Sequence, residues 1–169
     1  SYGAEVPFLR PKELSDDFAG TAVVIAHAIE ELSKYSTIES VCCLYATAPF
    51  VLKEDLVRGY EILSSSPEVK FSFSATSFPF PIQRAFKLNQ KSEVEMFHPE
   101  HLMTRSQDLE EAYHDAGQFY WGEAESFRKE DAFFTAHSRA VLLPRMRVQD
   151  IDTLEDWQTA EVMYKVLQK

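Results

Sequence analysis

The run "VCCLYA", residues 41–46, is almost free of polar side chains, and helical patterns stand on both sides of it. A short, nearly continuous apolar segment is the pattern of a β-strand covered on both faces. Before it, "SDDFAGT" supplies turn and cap residues and "AVVIAHAIEEL" follows, which predicts a helix from about Thr21 to Leu32. After it, "TAPF" stops the strand and "KEDLVRGYEIL" sets Leu56, Tyr60 and Leu63 at helical spacing, with acidic residues in the first turn. A strand that must be covered twice, followed by a helix, is a β-loop-α unit and points to an α/β layer fold.

Further along, "VKFSFSAT" alternates, with Val69, Phe71, Phe73 and Ala75 on one face and small polar residues on the other, so a half-buried strand is expected. "SFPFPIQR" interrupts with two prolines, and "AFKLNQKSEVEMF" then reads as a β-hairpin around "NQKS", an excursion covering about residues 78–100. "QFYWG", "AVLLP" and "RVQDID" add extended segments. "TLEDWQTAEVMYKVL" closes as an amphipathic helix, with Thr153 as cap, Asp156 three residues on, and Trp157, Ala160, Tyr164 and Leu167 as its buried stripe. The 169 residues, 45% of them hydrophobic, suit one domain with a substantial core.

Several classes are disfavoured. A formal charge of -10 argues against non-specific nucleic-acid binding, which needs a basic surface, although a small anionic nucleotide held through a metal is compatible with it. No apolar stretch is long enough to span a membrane and "SYGAEVPFLRP" lacks the order of a signal peptide, so a cytoplasmic protein is expected. Cys42 and Cys43 are neighbours on a strand, point to opposite faces and read as core residues. With five glycines the chain carries neither G-x-G-x-x-G nor a Walker-type loop, and no convincing first strand precedes the helix at Thr21. The expectation is that the N-terminal phosphate-binding segment of a doubly wound domain lies outside these residues, and that these residues by themselves are inactive or nearly so.

The chemistry-bearing candidate is the pair Asp150 and Asp152. If "RVQDID" is extended, both carboxylates project to one face while Ile151 points to the core, and together they can share a divalent cation. Mg²⁺ suits such a site, because it takes oxygen ligands, keeps several waters and is commonly completed by substrate phosphates. A bare D-x-D before a helix is a common pattern, and on spacing alone Asp150 as a solvated loop residue and Asp152 as an aid to the helix cap is the favoured reading.

From "YGAEVPFLRPKELSDDFAGT" through "YATAPF", "SFPFPIQR" and "TRSQDLEEAYHDAGQFYWG" to "PRMRVQDIDTLEDW", the chain resembles the CMP-acylneuraminate synthetase family, most closely its pseudaminic acid branch. The resemblance implies a Rossmann-like, three-layer nucleotide-diphospho-sugar transferase fold. It also implies transfer of CMP from CTP to a nine-carbon sugar acid with release of pyrophosphate, Mg²⁺ as cofactor, and a homodimer whose hairpin packs on the partner. It makes Asp150 and Asp152 the catalytic metal carboxylates. Arg10, Ala19 and Thr21 become nucleotide-binding, and Tyr45, Gln83, Arg105, Gln107 and His114 substrate-binding. Phe133 and Phe134 correspond to phenylalanines that reach a neighbouring subunit's sugar pocket. Where the sialic acid branch has R-P-N-G this chain has "HDAG", and Tyr45 and Gln83 replace a glutamine and a lysine, which favours a sugar acid of different stereochemistry. Two alternatives stay open: a non-catalytic α/β binding or dimerisation module, and a sialic acid or 3-deoxy-octulosonate cytidylyltransferase.

Overall fold

The computed structural model describes residues 3–16 and 18–168, and within them the expected β-loop-α unit forms. Ahead of it, helix α1 (Thr21–Ser33) buries Ile25 and Ile29. Strand β1 (Ser40–Leu44) follows, and after Pro49 helix α2 (Lys53–Ser64) begins with Glu54 and Asp55 near the positive end of its dipole. The chain continues through strand β2 (Phe71–Ser77) and the hairpin strands β3 (Phe86–Leu88) and β4 (Val94–Met96), which make a separate two-stranded sheet. Strand β5 (Tyr113–Glu123), helix α3 (Ala124–Arg128), strand β6 (Ser138–Leu142) and helix α4 (Leu154–Leu167) complete it.

The main sheet runs in the order β1-β5-β2-β6. β2 and β6 are parallel, and β5 is antiparallel to both β1 and β2, so three strands share one direction and β5 opposes them. Helices lie on both faces. On one, Ile25 and Ile29 of α1 and Phe127 of α3 pack with Phe71, Val41 and Cys43. On the other, Leu56 and Ile62 of α2 pack with Phe119, Val141, Cys42 and Trp121. Adjacent cysteines therefore serve opposite layers, as strand alternation requires. α2 comes close because Gly59 has no side chain: a Cβ there would meet the Trp121 ring at 2.8 Å, and that indole donates to the Leu56 carbonyl at 3.0 Å.

Three expectations need correction. β2 is not half-buried, because it is flanked by β5 and β6 and covered on both faces, and Ser72, Ser74 and Thr76 are as inaccessible as Phe71. "RVQDID" is not a strand: a 3-10 turn occupies Arg145–Arg147, Val148–Asp150 are irregular and a bend follows. In α4, Trp157 and Tyr164 are about half exposed and only Ala160 is buried, because an open hollow lined by Pro49, Phe50 and Ile151 lies along this face of the helix. Its capping box does form, with Asp156 N–H donating to Thr153 Oγ1 and the Asp156 carboxylate accepting from Thr153 N–H.

The polar residues of β2 carry a feature the alternation hides. Phe73 pairs with Tyr120, but Ala75 pairs with Asp115, so the four residues 116–119 stand opposite Ser74 alone. This bulge breaks the ladder in the middle of the sheet, where unmatched N–H groups are costly. Ser74 Oγ repairs it by accepting from Gln118 N–H at 3.1 Å and Phe119 N–H at 3.2 Å while donating to the Phe119 carbonyl at 3.4 Å. One hydroxyl thereby uses its donor and both acceptor sites. Ser74→Ala should strand two buried N–H groups and lower unfolding free energy by about 1–3 kcal/mol, measurable by urea denaturation. An unchanged midpoint would show that the bulge needs no such repair.

Candidate active site

The bulge opens a cleft of about 390 Å³ between the start of β5 and the segment after β6, with Tyr45, His114, Asp115, Gly117, Tyr120 and Asp150 on its walls. It lies at the carboxyl ends of β1, β2 and β6, the rim where open α/β sheets take their ligands. Each wall has an identifiable support.

The turn His114–Gly117 forms one wall. Gly117 has φ +61°, a left-handed conformation that glycine adopts without penalty. Asp115 closes the turn with its own side chain, Oδ1 accepting from Gly117 N–H at 2.8 Å and Oδ2 accepting from the Tyr120 hydroxyl at 2.5 Å. Tyr120 is buried among Phe73, Tyr45 and Phe133. Burial, and then its bond to Asp115, push its pKa well above that of a free tyrosine, so it stays a proton donor. His114 Nδ1 lies 2.8 Å from the Asp115 carbonyl, and its ring rests on Phe78 at 4.7 Å between centroids.

The opposite wall is the segment from Arg147 to Asp150. The Arg147 fork grips Asp55 of α2 at 2.6 and 3.3 Å and reaches the Phe50 carbonyl at 3.3 Å. The pair is nearly inaccessible, with side-chain exposures of 15% and 7%, so its value lies in geometry rather than in net stability, since desolvation consumes most of the attraction. Gln118, from inside the bulge, donates to the Arg147 carbonyl at 2.5 Å and joins the two walls. Asp150 then sits against Gly117, 3.8 Å from where a Cβ would stand, and takes Ile151 N–H at 3.0 Å on Oδ1.

At the third side, Tyr45 follows directly on β1, and its N–H donates to the Gln118 carbonyl at 3.0 Å. Its hydroxyl meets Thr21 Oγ1 at 2.6 Å at the start of α1. Ala19 is held just before that helix by an N–H bond to Asp16 at 2.9 Å, and Arg10 is exposed in the preceding loop.

The structure thus gathers Thr21, Tyr45, His114 and Asp150 and leaves other expected residues elsewhere. Asp152 is exposed in the bend before α4, its N–H donating to Asp156, and is not on the cleft wall. The expected shared face with Asp150 fails because the segment is not extended. Arg105 forms a forked, exposed pair with Asp108 at 2.7 and 3.1 Å. Gln83 donates to the Glu110 carbonyl, and Gln107 lines a separate hollow with Phe78 and Phe80. Phe78 connects that hollow to the cleft through its contact with His114. Phe133 packs on Phe71, Tyr120 and Phe127 within its own chain, whereas Phe134 is largely exposed. Asp115, Tyr120 and the Asp55–Arg147 pair were not expected. Asp115 alone had a local signal, an aspartate two residues before a glycine.

Neither cysteine belongs to this chemistry, since burial pushes the Cys42 thiol up to about 12 and raises Cys43 as well. Among the described residues no three His, Cys, Asp or Glu side chains are grouped to hold a metal ion, and no helix is long and apolar enough to cross a membrane. Asp55→Ala should leave Arg147 buried and unpaired and cost about 3–5 kcal/mol, read as a lowered urea midpoint; a loss below about 1 kcal/mol would mean water reaches the pair freely.

No family model matches the chain. Among curated proteins it is 49% identical over 166 residues to the pseudaminic acid cytidylyltransferase of Campylobacter jejuni subsp. jejuni serotype O:2, covering 98% of this chain and 71% of that protein. It is 33% identical over 169 residues to a Helicobacter pylori protein named pseudaminic acid cytidylyltransferase and UDP-2,4-diacetamido-2,4,6-trideoxy-beta-L-altropyranose hydrolase, covering 100% of this chain and 32% of that one. To the CMP-N,N'-diacetyllegionaminic acid synthase of Legionella pneumophila it is 27% identical over 179 residues, covering 99% and 72%. Among solved structures, CMP:2-keto-3-deoxy-manno-octonic acid synthetase complexed with CTP aligns with a TM-score of 0.53 at 8% identity, covering 90% of this chain and 70% of that one. That likeness identifies the nucleotide-diphospho-sugar transferase fold.

Proposed function

The chain belongs to the pseudaminic acid cytidylyltransferase family, and from that membership we propose that its cleft is where CMP passes from CTP to a pseudaminic-type sugar acid in the cytoplasm, with release of pyrophosphate. The observation that carries the reading is 49% identity over nearly the whole chain. The cleft supports it, because Thr21, Tyr45, His114 and Asp150, expected from separate motifs, meet in one place.

In this reading the start of α1, with Arg10, Ala19 and Thr21 around it, receives the nucleotide, and Tyr45 ties it to the sheet rim. His114 and the main chain of the β5 turn receive the sugar acid, with Gln107 in the adjoining hollow past Phe78 and Gln83 and Arg105 beside its rim, bonded to Glu110 and Asp108. Arg105 can exchange Asp108 for the substrate carboxylate, since its fork fits either. Asp150 offers Oδ2 beside Gly117, a hard oxygen donor suited to Mg²⁺. Asp150 would hold the ion together with substrate phosphates and water, and Asp152 would act from beyond the wall. When bound, the ion polarises the α-phosphate and neutralises charge that develops on it. The attacking anomeric oxygen forms its bond to the α-phosphorus as the bond to pyrophosphate breaks, and the chain's part is to hold the two substrates in line.

In a chain that includes the phosphate-binding segment expected ahead of these residues, Asp150→Asn is expected to abolish the calorimetric Mg²⁺ dependence of CTP binding and to reduce turnover about 100-fold or more, the scale of several kcal/mol of lost charge stabilisation, with Asp152→Ala run beside it. Metal-dependent CTP binding unaltered by either change would remove the carboxylates from the reaction.

We further propose that the protein works as a homodimer through its hairpin. Phe86 and Leu88 on β3 stand opposite Met96 and Val94 on β4, forming one apolar face, while Lys87 and Glu95 pair at 3.2 Å on the other. An isolated two-stranded hairpin is marginal in water, so that face calls for a cover. Leu88→Asp should turn a dimer into a monomer in analytical ultracentrifugation; a wild-type protein that sediments as a monomer at all concentrations rules the dimer out.

A further inference from the structure

The His114–Gly117 turn contains a device that the functional reading does not use. His114 Nδ1 is 2.8 Å from the carbonyl of Asp115. A carbonyl oxygen can only accept, so Nδ1 must carry the proton. In the neutral ring that leaves Nε2 unprotonated, an acceptor with no proton to give. This is the less usual arrangement and requires the Asp115 peptide to be held in place. The Asp115 carboxylate does so by taking Gly117 N–H and the Tyr120 hydroxyl together, and Tyr120 is fixed in the core by three aromatic neighbours. Phe78 supports the other side of the ring.

We propose that Asp115 and Tyr120 are positioning residues that lock His114 in its Nδ1–H form, so that Nε2 serves as a hydrogen-bond acceptor for a donor group of the sugar acid, a hydroxyl or an acylamino N–H. The assignment rests on the cytidylyl-transfer reading for the identity of the substrate, but not for the state of the ring. It defines the polarity of this wall: the substrate's carboxylate, an acceptor, does not bind at His114, whereas a donor does. Asp115 and Tyr120 touch no reacting atom and act through the histidine.

Two measurements separate the ring from the reaction. Long-range proton–nitrogen NMR on histidine-labelled protein at pH 8, with the His114 signal identified by its loss in His114→Gln, should show the Nδ1–H tautomer. Asp115→Ala and Tyr120→Phe should move it toward Nε2–H. In steady-state assays with the enzyme, Asp115→Ala should raise KM for the sugar acid about tenfold, the equivalent of one hydrogen bond, with KM for CTP unchanged. Tyr120→Phe, which keeps the buried ring, should act in the same direction, and Asp115→Asn, still able to accept from Gly117, should recover most of the loss. A wild-type ring in the Nε2–H form overturns the inference whatever the activity. An Nδ1–H ring combined with an unchanged sugar-acid KM in both variants overturns the positioning role. A correctly locked ring in a chain that includes the phosphate-binding segment expected ahead of these residues, yet transfers no CMP, refutes the cytidylyl-transfer reading, and the substrate assignment with it.

Discussion

The Ser74 hydroxyl, buried in the centre of the sheet, is what allows β5 to leave its partner and return. Four residues of β5 face this one position of β2, and a hydroxyl with one donor and two acceptor sites is a good chemical match for the groups they expose. An apolar residue there would leave N–H groups unmatched in a medium where that is expensive. From the bulge follow the left-handed Gly117, the Asp115 turn and the displaced Gln118, and therefore a cleft where a regular strand would have left a flat sheet.

The cleft is only as well defined as the link between its walls. That link is made by polar groups removed from water: Gln118 on the Arg147 carbonyl and the Arg147 fork on Asp55. A hydrophobic contact could hold the segment nearby, but the forked pair and the carbonyl bond define its direction as well as its distance. Asp150 consequently arrives beside Gly117 from an irregular segment that has no ladder bonds of its own to guide it. Such an arrangement suits a reaction in which positioning and charge stabilisation provide most of the catalysis.

Residues whose roles depend on local pattern were legible. Leu56 and Leu63 were placed correctly by helical spacing, Thr153 and Asp156 by their cap, Phe71 and Phe73 by alternation, and the hairpin by its turn. Errors arose where long-range neighbours decide. Alternation in β2 suggested a wet face because serine and threonine are usually found there, yet the strand lies between two others. The DID segment read as extended, although Arg147 turns it toward α2, 92 residues earlier in the chain. The role of Asp115 is not legible in the sequence, because it depends on its bond to Tyr120, which a strand and a bulge bring to it.

By itself, then, the sequence determined the layered α/β class, the positions of α1, α2 and α4, the family resemblance and the short list from which the site is drawn, because each of these is written in spacing and residue type along the chain. The tertiary structure alone decided that β5 runs against its neighbours, that Tyr45, His114 and Asp150 line one cleft, with Thr21 joined to it through Tyr45, while Asp152 and Arg105 do not, and that His114 is held through Asp115. These depend on which backbone groups remain unpaired when strands from distant parts of the chain come together, and on which side chain is near enough to satisfy them.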